Sequence, residues 1–171
     1  MSKLGIIFAI VALAACGGSD ADDLAGIYQV TSHTLNQDSC DREGAAADGG
    51  SHLRIRPDSF FTEEFLAVDE CESADTSTCN DDGLLGGFFD VNGWTLEVST
   101  ASGGGSLTCY LGYTLETLEE TESGVIRIEK RRYGDTDDNL SAAQCSTDEA
   151  GSRGTDMMCE QFEVIVAMLI E

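Results

Sequence analysis

The stretch Asn92-Gly93-Trp94-Thr95-Leu96-Glu97-Val98-Ser99 carries the strongest local signal in this chain. Asn-Gly is the pair that best accepts the positive φ of a two-residue turn, so it marks a β-hairpin. Behind it Trp94, Leu96 and Val98 alternate with Thr95, Glu97 and Ser99, the period of two that gives a strand one apolar and one polar face. Ahead of it, residues 84–91 are an apolar run that contains Phe88 and Phe89.

The same pattern continues on both sides. Downstream, Gly103-Gly104-Gly105 opens a connection, and Leu107, Cys109, Leu111, Tyr113 and Leu115 alternate in a strand. Residues 119–124 turn the chain, and 125–133 form the partner strand with Ile126 and Ile128 inward. The acidic segment 135–154 is expected to hold one short helix over 140–150. Residues 161–170 are apolar on both faces, as in a strand buried within a closed sheet, and are too short to span a bilayer as a helix.

Upstream, 25–35 is rich in β-formers with Tyr28 and Val30 on one face, and 40–50 is a loop. Residues 51–56 place Leu53 and Ile55 inward and Arg54 and Arg56 outward. Pro57-Asp58 predicts a turn, and 59–68 the next strand. A chain of this kind removes its sheet edges by closing into a barrel or by stacking as a sandwich. The expected fold is mainly β: about eight strands in an antiparallel meander closing into a small barrel, with one short helix before the last strand.

The chain has 171 residues, 42% of them hydrophobic, enough for one domain with a core. Its 32 acidic residues against 9 basic ones set a formal net charge of -23. That field repels phosphate backbones and anionic headgroups, so nucleic acid is excluded as a partner. An acidic surface of this kind keeps a protein soluble.

Lys3 precedes an apolar run from Leu4 to Leu13 that has the length of a signal-peptide h-region. The run ends in Leu13-Ala14-Ala15-Cys16, followed by Gly17-Gly18. This resembles the lipobox of bacterial prolipoproteins. The resemblance implies that residues 1–15 are a leader cut after Ala15, and that the Cys16 sulfur receives a diacylglyceryl group. Acylation of the new amine, as with palmitate, would make the anchoring persistent. Gly17 stands where an aspartate would mark inner-membrane retention, so the resemblance favours the outer membrane or cell surface within the envelope. Residues 16–23 read as a lipidated flexible tether, and 24–171 as the single folded domain.

With Cys16 set aside, six cysteines remain, and an even number in an exported chain argues for disulfides. Six allow fifteen connectivities. Local closure favours Cys71–Cys79 and Cys145–Cys159, which leaves Cys40–Cys109. No Cys-x-x-Cys pair exists and neither His33 nor His52 has a cysteine at ligand spacing, so zinc is not expected. Asp135-x-Asp137-x-Asn139 opens like a calcium loop, but Leu140 and Ser146 occupy the positions that need glycine and glutamate. A looser site of oxygen ligands on Asp135, Asp137 and Asp138 competes there with a hydrated acidic turn.

The opening Leu24-Ala25-Gly26-Ile27-Tyr28-Gln29-Val30 resembles the Gly-x-Trp start of lipocalin-type barrels, with tyrosine in the tryptophan's place. The arginine that packs on that aromatic from the last strand has no counterpart there; Arg131 and Arg132 lie one strand earlier. The resemblance implies an interior that takes a small apolar or amphipathic ligand, for which Tyr28, Phe88, Trp94 and Tyr113 are the candidate contacts. The competing reading is that these rings fill the core, leaving an interaction module for an envelope protein. No nucleophile elbow or phosphate loop is present. A monomer without cofactor, metal or enzymatic activity is expected.

Overall fold

The computed structural model describes residues 21–60, 63–80, 87–90, 93–104, 107–141 and 143–170. The leader, Cys16 and most of the tether lie outside them. The fold is mainly β, with eight antiparallel strands in a nearly closed barrel. In chain order these are β1 (Gly26–Asn36), β3 (His52–Phe60), β4 (Glu63–Cys71), β5 (Gly87–Asp90), β6 (Trp94–Gly104), β7 (Leu107–Glu122), β8 (Val125–Asp137) and β9 (Met158–Leu169). Each pairs with its sequence neighbour, and β1 closes the ring on β9 from Tyr28↔Leu169 to Asn36↔Phe162. A two-residue strand, β2 (Ala45–Ala46), lies on β1 at Thr34 and Leu35.

Pro57-Asp58 does not turn the chain. Both residues continue β3, with Pro57 opposite Leu66 and Asp58 opposite Phe65 of β4. The reason lies in the ladder: β1 pairs with β3 only from Ile55 to His52, so Pro57 sits past the last β1 rung. A missing N–H is tolerated where a strand has a free side. β5 and β6 do pair as a hairpin, but the last pair is Asp90↔Trp94, so three residues and not two connect them. Of these only Gly93, and not Asn92, is among the described residues, and it has a φ of 102°.

The short helix α1 (Thr147–Arg153) comes later than the 140–150 expected. Its start is set by Ser146, whose hydroxyl accepts from the Glu149 N–H, and its end by Gly154 at φ 47°. The Ser-x-x-Glu spacing is a capping signature that competes successfully with the apolar residues upstream. α1 lies against β6 and β7 on the outside of the barrel.

Among the described residues, two clusters are buried. The main one fills one end of the barrel with Leu24, Tyr28, Leu53, Ile55, Leu66, Val68, Phe88, Trp94, Leu118, Ile126, Ile128, Ile165 and Ala167. The second lies under α1, where Cys109, Leu111 and Tyr113 meet Ala150 and Met157.

Of the three expected disulfides, Cys71–Cys79 forms. The other two exchange partners: Cys40 bonds Cys159 and Cys109 bonds Cys145, instead of Cys145–Cys159 and Cys40–Cys109. Closure of β1 on β9 explains the first, since Cys40 just follows β1 and Cys159 begins β9 at the same rim. Docking of the segment before α1 onto the outer face of β7 explains the second. Short separation along the chain loses to the sheet's geometry.

Candidate functional site

Along β7 the even positions face the interior and the odd ones face α1. Leu118 belongs to the main core, whereas Cys109, Leu111 and Tyr113 belong to the cluster under the helix. The inner face of β7 toward the far rim thus reads Glu116, Thr114, Gly112. Register extends this into rows around the wall. Leu96, Glu116, Lys130, Glu163 and Leu35 stand side by side on β6, β7, β8, β9 and β1. Val98, Thr114, Arg132 and Gln161 form the next row outward. One end of the barrel is an apolar core, and the other is a polar mouth.

The deepest charge in that mouth is Glu116, which is 3% exposed. Lys130 Nζ binds its Oε1 at 2.6 Å, and Oε2 is buried without a hydrogen-bond partner among the described residues. Burial pushes its carboxyl above the ordinary value, Lys130 opposes that shift, and nearby Glu163 adds to it. Glu163 in turn holds His33 Nε2 at 2.7 Å. Further out, the Tyr110 hydroxyl donates to Glu160 Oε2 at 2.8 Å. Glycines make room for that bridge: a Cβ on Gly134 would lie 2.1 Å from Glu160 Oε1, and one on Gly112 would lie 3.4 Å from the Tyr110 ring. Arg132 is close enough to oppose the upward shifts of both Glu116 and Tyr110, and makes no salt bridge among the described residues.

Three of the four aromatic candidates are brought together, in the packed apolar core and not at the mouth, and the fourth lies apart. Tyr28, Phe88 and Trp94 pack within the main core at 1%, 0% and 7% exposure, and the Tyr28 hydroxyl donates to the Leu24 carbonyl at 2.9 Å. Tyr113 lies on the opposite face of the wall, under α1, with burial and a hydrogen bond to Glu97 raising its phenol to about 12. Arg131 lies over the Phe162 ring at 4.6 Å, not over Tyr28.

The calcium-like segment does other work. Asp135 and Asp137 grip Arg153 at 2.7 and 3.1 Å and pin α1 to β8, and the Asn139 N–H together with Arg153 lowers the Asp137 carboxyl. On the outer face Arg54 and Arg56 converge on Asp69 Oδ2, with nitrogens 2.7 to 3.1 Å away, as their expected outward direction allows. No group of residues suited to a metal ion occurs among the described residues. No described helix is long and apolar enough to cross a membrane.

Sequence reading missed Glu116, Lys130 and Glu163 because a charged residue in a strand looks like a solvent-facing position. Glu163 stands between Phe162 and Val164, Glu116 follows Leu115, and Lys130 lies in the charged run Glu129 to Arg132. The available signal was the parity of Glu116 with Leu118. No family model matches the chain, and the searches of curated proteins and of solved structures found no match either.

Proposed function

We propose that this chain is an exported, lipid-anchored envelope protein, without enzymatic activity, that holds a small amphipathic ligand at the polar mouth of its barrel. The anchor reading rests on Leu13-Ala14-Ala15-Cys16 and its leader, and the three disulfides suit an oxidising compartment. The observation that carries the ligand reading is Glu116 Oε2, a buried acceptor with no donor among the described residues. An unmet buried polar atom costs about 1–3 kcal/mol, which a bound donor would recover. Glu116, Glu163 and Glu160 outnumber Lys130 and Arg132 on this wall, and the net charge of -23 draws cations. An amine head group with its chain against Leu96 and Val98 fits this chemistry.

A second reading, an interaction module with a filled interior, draws on the packing of Tyr28, Phe88 and Trp94. Calorimetric titration with octylamine and with octanoate separates the two. Saturable binding of octylamine, weakened about tenfold in a folded Glu116→Gln variant (about 1.4 kcal/mol), is expected, with octanoate inert. Absence of saturable octylamine binding, or equal binding by the variant, overturns the ligand reading and leaves the interaction module.

A further inference from the structure

The barrel's two ends differ in a second way. The chain enters the fold at the apolar end: Ala21 packs against the main core, the Leu24 N–H donates to the Ala21 carbonyl, and Leu24 is 1% exposed. The chain's last strand finishes at the same end. Leu169 pairs with Tyr28, its N–H donates to the Gly124 carbonyl at 2.7 Å, and the Ile170 N–H donates to the Ile27 carbonyl at 2.8 Å. Here Met168, Leu169 and Ile170 are 46%, 37% and 40% exposed. Leu169 is on the same face of the strand as Tyr28 and Met168 is on the other, so together with Ile170 they make the rim at this end apolar on both sides. The other exposed large apolar residues among the described residues, Val98, Tyr110 and Met158, stand apart from one another.

Five residue steps separate Ala21 from Cys16, and an extended chain covers at most about 3.6 Å per step, so the leash is no longer than about 18 Å. A diacylglyceryl group on Cys16 would therefore hold this end of the barrel within a headgroup layer's reach of the bilayer. We propose that Met168, Leu169 and Ile170 form a seat on the membrane surface, with the polar mouth turned away from it. The proposal rests on the anchor reading above. Three half-exposed side chains bind a bilayer weakly alone, but a short tether makes the contact intramolecular and keeps them at high effective concentration. The exposed carboxylates Asp22, Asp23, Glu119, Glu120 and Glu122 near this end disfavour anionic headgroups, so the surface that fits is zwitterionic.

The test uses the lipidated full chain in phosphatidylcholine vesicles. A benzophenone-bearing phenylalanine replaces Leu169 or, as the opposite-end control, Met158, which is 73% exposed and roughly 35 Å away along β9. Met158 is mostly exposed and Leu169 partly so, and the thermal midpoint of each variant is compared with the parent to show that both are folded. After irradiation, the intact mass is expected to show phospholipid adducts from position 169 and their loss when the probe is at 158. Equal adducts at both sites, or adducts only at 158, overturn the seat while the anchor stands. An intact mass with no lipid on Cys16 removes the anchor reading and this proposal with it.

Discussion

Glu116 and Tyr113 stand three residues apart on one strand and face opposite sides of the wall, and each titrates differently for that reason. Glu116 looks into the barrel, where desolvation outweighs Lys130. Tyr113 is sealed under α1 beside Glu97, where both burial and the carboxylate oppose loss of its proton. A phenol raised from 10.0 to about 12 contributes stability that is complete below pH ~10 and lost as pH climbs through ~12. Tyr113→Phe is expected to cost about 1 kcal/mol at neutral pH through the lost hydrogen bond to Glu97. The variant should also lack the part of the alkaline decline that belongs to this phenol. Denaturant unfolding at neutral and alkaline pH checks both; parallel pH curves for the two proteins would refute the assignment.

At the scale of elements, the strands were readable because their period of two survives on at least one face. β7 shows the limit. Cys109, Leu111 and Tyr113 have the alternation of an inward face, yet a helix covers them from outside. Alternation reports that a face is buried and is silent on which layer buries it. The disulfides show the same division, since only Cys71–Cys79 is a local closure. Separations of 119, 36 and 8 residues rank the bridges by the chain entropy they remove. Replacing both cysteines by alanine is expected to cost about 5 kcal/mol for Cys40–Cys159, about 4 for Cys109–Cys145 and about 2.6 for Cys71–Cys79. Equilibrium unfolding of the three paired variants tests the order; a largest loss from the Cys71–Cys79 pair would contradict it.

For the whole molecule, a formal charge of -23 over 171 residues means that carboxylates repel one another across its surface. Most of the basic residues among the described ones are spent in local clamps, such as Arg153 on Asp135, Asp137 and Glu149. Lowering the salt from about 1 M to about 0.01 M lengthens the screening distance from ~3 to ~30 Å. The thermal midpoint is expected to fall by roughly a few degrees over that range. A midpoint that holds or rises at low salt would show that attraction between the clamps outweighs the repulsion.

Composition and periodicity alone established a β meander of about eight strands with a helix near its end, because alternation and turn chemistry are local properties of the chain. The wall on which Glu116, Lys130 and Glu163 meet, the partners of Cys40 and Cys109, and the side of β7 that α1 covers depended on ring closure and register. Those are relations between residues far apart in sequence, and a one-residue shift in pairing reverses every side chain's direction. No local pattern encodes them.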